Sequence, residues 1–331
     1  MNKQIIDQLL LLATEFKQDG NTFKASALFK GLNIIKELDY EIENIAQIEK
    51  IKGIGKGICK RVKEILETGK LSELNNKVDK KKIIEELTSV FGIGVKIANK
   101  FMNDYNIKNL TELKEAHDKN IIKLTDEMLI GLKYVDDLKK RIEYIDIKNM
   151  ELIFKNLLKQ HFPELIMEIC GSYRRVRATS GDIDILLTCK KPESNNYLRN
   201  VVELLTDQLY LVDHLTKNGL TKYMGICHLL NGQYVRIDIR YIKYDSFAPA
   251  LLYFTGSGEL NRKMRELANT QGYTINEYGV YKYVDKKKGD KVIVKTERDI
   301  FELIGMEYLN PREREYGNKR ESKIEIYYLF I

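Results

Sequence analysis

The chain has 331 residues, of which 44% are hydrophobic and 31% are charged, so it is long enough to build more than one domain around a buried core. Lysine and arginine outnumber aspartate and glutamate by 55 to 48, a mild excess that only hints at a polyanionic partner. No apolar run approaches the length of a membrane span, the N-terminus opens no signal peptide, and the four cysteines form no paired motif. We therefore expect an intracellular protein with reduced, buried thiols and no membrane partner.

The first half of the chain, up to about residue 145, is predicted to be helical. Apolar residues recur there at spacings of three and four, as in Leu28, Leu32 and Ile35, and this half contains no proline. Such spacing places the apolar side chains on one face of each helix.

A near-repeat occurs twice within the helical half. Gly53-Ile54-Gly55 and Gly92-Ile93-Gly94 are each followed by another helix-like segment. Two glycines between helices allow a tight turn and leave backbone N–H groups exposed, and such groups can bind a phosphate without reading sequence. The plain alternative is a pair of ordinary helix turns. Because the turn occurs twice, with basic residues such as Lys56 and Lys60 nearby, we predict two helix-hairpin-helix motifs that bind DNA.

The second half of the chain has a different pattern and predicts an α+β fold. We expect strands at 166–170, 183–188 and 234–242, and helices at 152–160 and 197–208. The whole chain is thus predicted to be multidomain, with an all-α half followed by an α+β half.

Two acidic residues in the second strand are the first candidates for chemistry. A Gly-Ser pair at 171–172 and three arginines lead directly into Asp182 and Asp184. Residues two apart in a strand share a face, and two bare carboxylates are costly to bury unless a cation compensates their charge. The pattern therefore indicates a divalent-metal site, with Ser172 and Arg175 suited to phosphates. The alternative is an exposed edge strand with solvated acids.

A third carboxylate strengthens the metal interpretation. In the segment 235–241, Arg236, Asp238 and Arg240 share one face of a predicted strand, and apolar residues occupy the other. An adjacent strand would place Asp238 beside Asp182 and Asp184. Three acids and two metal ions suit an in-line displacement at phosphorus.

These motifs resemble those of the family X DNA polymerases. The resemblance rests on Gly-Ser-x-Arg-Arg at 171–175, Ser-Gly-Asp-x-Asp at 180–184, Arg-Ile-Asp-Ile-Arg at 236–240 and Tyr-Phe-Thr-Gly-Ser at 253–257. It extends over about residues 10 to 315. The acidic pair alone would fit any nucleotidyltransferase of the superfamily, whereas Tyr-Phe-Thr-Gly-Ser and the paired hairpins are far more specific.

The resemblance implies roles for the residues around the acids. The matched metal ligands, for two Mg²⁺ ions with Mn²⁺ as an alternative, are Asp182, Asp184 and Asp238. The matched contacts to the triphosphate of a dNTP are Arg141, Ser172, Arg175, Ser180 and Gly181. Tyr253, Phe254 and Gly256 match the segment against its sugar. Asn261 and Arg265 match minor-groove contacts at the new base pair, although their spacing alone would equally fit a solvated helix face.

The resemblance also implies partners for the helical half. A Na⁺ or K⁺ ion would be held at the hairpins by backbone carbonyls near Ile51, Ile54, Val90 and Ile93. The residues assigned to DNA are Gly53, Gly55, Lys56, Lys60, Gly92, Gly94 and Arg236. The expected partners are gapped or nicked duplex DNA and dNTP, bound by a monomer.

A second activity of the family, removal of a 5′-deoxyribose phosphate, is doubtful for this sequence. In the family a lysine amine on the helix after the first Gly-x-Gly forms a Schiff base with the sugar, and an ungapped alignment places Arg61 at that position. A guanidinium stays protonated and cannot act as this nucleophile. Lys24 remains to meet a 5′-phosphate, and Lys60 is the alternative nucleophile.

Two further departures concern turns. Val176 stands where the family usually has glycine, so we expect a differently shaped turn there. Asn231-Gly232 predicts a tight hairpin.

Together with these patterns, the resemblance to family X DNA polymerases implies five segments. They are a lyase-like helical domain at 1–76, a helical DNA-binding subdomain at 77–143, a nucleotidyltransferase palm at 144–244, a nucleotide-selection subdomain at 245–318 and a tail at 319–331. The predicted function is template-directed DNA synthesis that fills short gaps during base excision repair. No BRCT-like segment precedes the helical half, and no exonuclease segment is visible, so we expect neither an end-joining module nor proofreading. The alternatives are a nucleotidyltransferase that acts on RNA or without a template, and a non-catalytic protein that binds gapped DNA.

Overall fold

The computed structural model describes residues 2–18, 20–191, 196–217, 219–284 and 287–315, without the side chains of residues 18 and 75–78. The chain forms two compact units. The first contains residues 1–88 and 93–121, and the second contains residues 89–92 and 122–331. The finer division that the sequence predicts stays a prediction, and the predicted tail at 319–331 lies outside the described residues.

The first unit is helical, as predicted. Its helices are α1 (Lys3–Gln18), α2 (Thr22–Lys36), α3 (Lys56–Thr68), α4 (Ser72–Thr88), α5 (Val95–Tyr105) and α6 (Leu110–Asp118), with a 3₁₀ turn at Ile45–Gln47. Helix α1 packs against α2, α3 and α4. The apolar stripe that predicted α2 is the one it buries, since Leu28, Leu32 and Ile35 lie in the core of this unit.

The second unit combines helices with three sheets. Its first part contains α7 (Asp126–Lys133), α8 (Val135–Leu138), β1 (Ile142–Glu143), α9 (Tyr144–His161), β2 (Leu165–Ile169), α10 (Gly171–Arg174), β3 (Thr179–Ser180), β4 (Ile183–Cys189), α11 (Tyr197–Asp207), β5 (Leu211–His214), β6 (Lys222–His228) and β7 (Tyr234–Tyr241). Its last part contains α12 (Phe247–Thr255), α13 (Gly258–Thr270), β8 (Tyr273–Asn276), β9 (Gly279–Val284), β10 (Lys287–Val292) and α14 (Glu297–Leu303), with 3₁₀ turns at Tyr244–Ser246 and Pro311–Glu313.

A five-stranded sheet of order β2-β4-β7-β6-β5 forms the centre of this unit. Strands β4 and β7 run parallel, and the other neighbouring pairs run antiparallel. Apolar residues of β4 and β7, including Ile183, Ile185 and Ile237, pack on one face of the sheet against helices α9 and α11. Because alternate residues face opposite sides, Asp184 and Leu186 lie on the other face, where Leu186 packs with Ala250 of α12.

The last part of the unit has its own core. Helices α12, α13 and α14 surround a cluster with the strand residues Ile275 and Val280. A small sheet of order β10-β9-β8 completes it.

The predicted elements of the second half are confirmed, and apart from α9 their ends shift by at most one residue. The largest difference is in α9, which begins at Tyr144 instead of near residue 152. The Asn231-Gly232 hairpin is also present, since Gly232 has a φ of 87° and the N–H of Leu229 donates to the carbonyl of Gln233.

The cysteine prediction holds for three thiols, since Cys170, Cys189 and Cys227 are buried and Cys59 is half-buried. All four are unpaired. None of the described helices is both long and apolar enough to cross a bilayer.

Candidate active site

The parallel strands β4 and β7 bring two of the predicted acids together. Asp184 and Asp238 are register partners across this pair, so their side chains lie next to each other on the same face of the sheet. They line a small cavity with Cys170, Arg240 and Phe254. Because β4 lies between β2 and β7, the alternative of an exposed edge strand is wrong.

Burial dominates the electrostatics of this pair, and nearby basic side chains oppose it only in part. Burial, followed by the charge of Asp238, raises the pKa of Asp184 to about 6. Burial likewise raises the pKa of Asp238, although Arg236, Lys222 and Arg240 oppose the increase.

The third acid is positioned differently. Asp182 precedes β4 and forms an ion pair with Arg236 of β7. In the described part of the chain, no three His, Cys, Asp or Glu side chains lie together closely enough to hold a metal ion. The structure therefore brings Asp184 and Asp238 together, while Asp182 and Arg236, which the sequence assigned to a metal and to DNA, neutralise each other.

The residues nevertheless fit a hard divalent cation. All three side chains offer carboxylate oxygens, which Mg²⁺ prefers. The Oδ1 atom of Asp238 is buried without a hydrogen-bond partner among the described residues, and such an orphaned acceptor is costly unless something binds it.

A cluster of hydroxyl and guanidinium groups lies beside the acids. The Ser172 hydroxyl in α10 donates to the Ser180 hydroxyl in β3 over 2.8 Å. Arg141 donates to the Thr179 carbonyl over 2.9 Å. Gly181 lies close to the same guanidinium, since a Cβ atom on Gly181 would be 3.2 Å from the Nη1 atom of Arg141. Four of the five predicted triphosphate contacts are therefore neighbours.

The fifth predicted triphosphate contact, Arg175, is anchored elsewhere. Its Nη1 atom donates to the Thr255 carbonyl over 2.6 Å, and its Nε atom donates to Glu315 over 2.6 Å. A Cβ on Gly256 would lie 3.3 Å from the same Nη1 atom. The sequence analysis missed Glu315, because it lies 140 residues from Arg175 and no local pattern links the two.

The turn after α10 shows what Val176 does in place of glycine. The N–H of Val176 donates to the Tyr173 carbonyl, and the N–H of Arg177 donates to the Ser172 carbonyl. These two bonds form a Schellman motif, which needs a left-handed residue. Val176 adopts that conformation, with a φ of 58°. The expectation of a differently shaped turn is therefore corrected, since the valine takes the conformation that glycine favours.

The residues predicted to meet the sugar and base also lie together. Asn261 and Arg265 are one turn apart on α13 and line a second small cavity with Tyr253 and Leu252. The Asn261 amide donates to the Tyr253 carbonyl over 2.7 Å. Phe254 packs edge-on against Tyr253, and a cis peptide bond follows at Gly256–Ser257.

The two Gly-x-Gly turns have nearly the same backbone. Gly53 and Gly92 have φ angles of 102° and 88°. Gly55 and Gly94 are the N-caps of α3 and α5, with φ/ψ pairs of −86°/167° and −84°/168°. A Cβ on either N-cap glycine would meet nothing within 4 Å, so neither their backbone angles nor their packing requires glycine. Glycine there leaves the first N–H groups of each helix open to a ligand.

An ion pair occupies the position where the resemblance would place a lyase nucleophile. Arg61 in α3 donates to both carboxylate oxygens of Glu73, over 2.7 Å and 3.0 Å, and its Nη1 atom donates to the Gly57 carbonyl. Lys24 is exposed and lies over the ring of Phe16. The alternative nucleophile Lys60 is also exposed.

A buried network of ion pairs, which the sequence analysis did not predict, holds helix α10 in place. Glu297 accepts hydrogen bonds from Arg174 and from the fully buried Arg314, at distances of 2.6–2.9 Å. Arg174 also donates to the Thr255 hydroxyl. These bonds attach α10 to the last part of the second unit.

Comparison with known proteins gives family matches along most of the chain. They are a helix-hairpin-helix domain at 1–71, the fingers domain of DNA polymerase lambda at 85–139, the DNA polymerase beta palm at 141–244 and the DNA polymerase beta thumb at 250–315. Relatives include DNA polymerase lambda of Rattus norvegicus at 30% identity, DNA polymerase lambda of Arabidopsis thaliana at 29% and DNA nucleotidylexotransferase of Xenopus laevis at 27%.

Each alignment covers 95% of this chain, whereas the chain spans 56%, 62% and 68% of the respective relatives. Helical hairpins followed by a palm and a thumb are the architecture of a family X polymerase. The chain belongs to the family X DNA polymerases.

Proposed function

We propose that this chain is a DNA-directed DNA polymerase that adds deoxynucleotides to a primer 3′-hydroxyl and fills short gaps during base excision repair. The observation that carries the proposal is the pairing of Asp184 with Asp238 across β4 and β7, with a buried Asp238 oxygen that lacks a partner among the described residues. The family membership supports the same activity.

In this proposal the second unit binds the nucleotide through three groups of residues. Ser172, Ser180, Gly181 and Arg141 lie together and, joined by Arg175, would hold the phosphates of a dNTP through hydrogen bonds and charge. Tyr253, with the backbone at Gly256, would crowd the 2′ position of the sugar and so favour deoxyribonucleotides. Asn261 and Arg265 would contact minor-groove acceptors, which all correct base pairs share.

Asp184, Asp238 and Asp182 would hold two Mg²⁺ ions, with Mn²⁺ as an alternative. Such ions lower the pKa of an attacking hydroxyl and neutralise phosphate charge when they are bound. Asp182 would join the other two acids once Arg236 releases it, and Arg236 would then be available to a DNA phosphate. The Oδ1 atom of Asp238, which is buried without a hydrogen-bond partner among the described residues, would accept a hydrogen bond from the primer 3′-hydroxyl.

The helical hairpins would bind gapped or nicked duplex DNA through its backbone. The open N–H groups after Gly55 and Gly94 support phosphate contacts that ignore base sequence. Lys56 and Lys60 on α3 are exposed and would add charge. A Na⁺ or K⁺ ion at each turn, held by carbonyls near Ile51, Ile54, Val90 and Ile93, belongs to the same proposal, as does a monomeric state.

Primer extension on DNA with a single-nucleotide gap, with dNTPs and ribonucleotides in parallel, tests the proposal. We expect one templated deoxynucleotide to be added in preference to its ribonucleotide. Addition that ignores the template, or that prefers ribonucleotides, would instead support the alternative nucleotidyltransferase. Tight binding of gapped DNA without any addition would support the non-catalytic alternative.

A further inference from the structure

Arg175 is held by two groups of the last part of the second unit. Its Nη1 atom bonds to the Thr255 carbonyl and its Nε atom bonds to Glu315, both over 2.6 Å. The two side chains of the ion pair are only 15% and 23% exposed, so solvent screens them incompletely.

In the described part of the chain, the Glu315 side chain pairs only with arginines that follow or end helix α10. Among the described residues its side chain contacts Arg175 and, at 3.9 Å, Arg177. Helix α10 is attached to the same part of the unit independently, because Arg174 bonds to Thr255 and Glu297. Loss of the Glu315 charge should therefore leave the fold intact.

We infer that Glu315 is the counter-ion of a nucleotide-binding arginine and weakens the affinity of the site for the triphosphate. The inference rests on the proposed function. A triphosphate needs the guanidinium of Arg175 and is repelled by a carboxylate bonded to that same group. Glu315 is thus a positioning residue that acts through Arg175.

The size of the effect on nucleotide affinity follows from the balance between two states of Arg175. In one state Arg175 is paired with Glu315, and in the other it is free to bind the triphosphate. When the binding-competent state is only a fraction of the population, the apparent dissociation constant rises by the inverse of that fraction. For an ion pair of this exposure we expect roughly a threefold to tenfold effect on nucleotide affinity. The rate of the chemical step should change little, because Glu315 does not touch the acids Asp184 and Asp238.

The test uses the full chain with Glu315→Gln, which keeps the size of the side chain and removes its charge. The matched control is Glu307→Gln, because Glu307 is exposed and has no ion pair among the described residues. On single-nucleotide gapped DNA we expect Glu315→Gln to lower the KM for the templated dNTP by about threefold to tenfold, with kcat within about twofold of wild type. An unchanged or higher KM would overturn the inference.

A double-mutant cycle shows whether the effect passes through Arg175. In an Arg175→Gln background, Glu315→Gln should no longer change the KM. If it lowers the KM there by the same factor, the carboxylate acts through its general field and the inference is wrong.

A binding measurement separates failure of the inference from failure of the proposed function. Inorganic tripolyphosphate should raise the thermal unfolding midpoint, and Glu315→Gln should show the same rise as wild type at a tripolyphosphate concentration about threefold to tenfold lower. Equal concentrations for both proteins would refute the counter-ion role. A wild-type protein that adds no nucleotide would refute the polymerase proposal, while this measurement would still decide the inference.

Discussion

Val176 is a β-branched residue in a conformation that suits glycine, with a φ of 58°. A residue with a Cβ atom pays roughly 1–2 kcal/mol to adopt the left-handed conformation. Replacing it by glycine removes this cost, but the greater entropy of glycine in the unfolded chain offsets about half of the gain. The Schellman bonds after α10 hold the valine in place, so the strain lies next to Ser172 and Arg175.

We therefore expect Val176→Gly to raise the free energy of unfolding by about 0.5–1 kcal/mol. Urea denaturation of the variant and of wild type measures the difference. The matched control is Val284→Gly, at an exposed strand position with ordinary backbone angles, which should be neutral or destabilising. A loss of stability in Val176→Gly as large as that in the control would show that the left-handed valine carries no strain.

For single residues, the sequence predicts which side chains carry the chemistry better than it predicts their ion-pair partners. The alternation around Asp184 and Asp238 was enough to place both carboxylates on one face, because strand periodicity is local. The partners of Asp182, Arg61 and Arg175 were not predictable, since each ion pair depends on how distant segments meet. Asp182 is an example, because it pairs with Arg236 although its neighbour in sequence, Asp184, pairs with Asp238 across the sheet.

At the scale of the elements, the turns that precede α3 and α5 have nearly the same backbone geometry. The N-cap angles of α3 and α5 agree within 2°, and the two positive-φ glycines at 53 and 92 differ by 14°. Part of their shared motif was visible in the sequence for a local reason, because the positive φ at Gly53 and Gly92 favours glycine. Helix ends were less predictable, as α9 shows, because packing against the sheet extends the helix beyond its most periodic part.

Helix α3 gives a prediction for DNA binding. Replacing both Lys56 and Lys60 by Ala should weaken binding to gapped DNA and reduce the slope of log affinity against log salt by roughly 1 to 2, since each phosphate contact releases about one counter-ion. Fluorescence anisotropy at several salt concentrations measures the slope. Lys30→Ala/Lys36→Ala on α2, which removes two other exposed lysines, is the control. If the two double variants have the same slope, the basic run on α3 is only a solvated face.

The same helix gives a prediction for lyase chemistry. The wild type should form little or no Schiff base with an incised abasic site, because Arg61 stays protonated and is paired with Glu73. Arg61→Lys alone should also react weakly, since the Glu73 carboxylate stabilises an ammonium group and so disfavours the free amine. Adding Glu73→Gln to Arg61→Lys should increase the covalent product.

Borohydride trapping measures these adducts. A strong adduct in the wild type that disappears in Lys60→Ala would show that the prediction is wrong and that Lys60 is the nucleophile. Equal trapping by Arg61→Lys and Arg61→Lys/Glu73→Gln would show that Glu73 does not control the amine.

On the scale of the second unit, the Glu297 network connects three distant parts of the chain. Arg174 and Glu297 are 123 residues apart, and Glu297 also binds Arg314. Burial alone raises the pKa of Glu297, but the bonds from Arg174 and Arg314 outweigh it, and the pKa lies below the ordinary value of 4.5. A lowered carboxyl pKa stabilises the fold above that ordinary value, and the contribution is lost as the pH falls through the folded-state pKa.

Glu297→Gln should therefore lower the free energy of unfolding at pH 7 by about 3–5 kcal/mol, because the buried Arg314 and the partly buried Arg174 lose their counter-ion. The difference from wild type should shrink as the pH falls below 4.5. Urea denaturation between pH 7 and pH 3 measures both effects, with the exposed Glu302→Gln on the same helix as control. Wild-type and variant curves that stay parallel over this range would contradict the lowered pKa.

At the scale of the whole molecule, nucleotide addition in the proposed polymerase depends on the paired carboxylates of β4 and β7, and Asp238→Ala removes one of them. The variant and wild type are compared in nucleotide addition and in binding on single-nucleotide gapped DNA, with the exposed Asp207→Ala as control. We expect the addition rate to fall more than about 100-fold, with DNA affinity within about twofold of wild type, since phosphate contacts elsewhere supply most of that affinity. Extension by Asp238→Ala at a rate close to that of wild type would contradict the account.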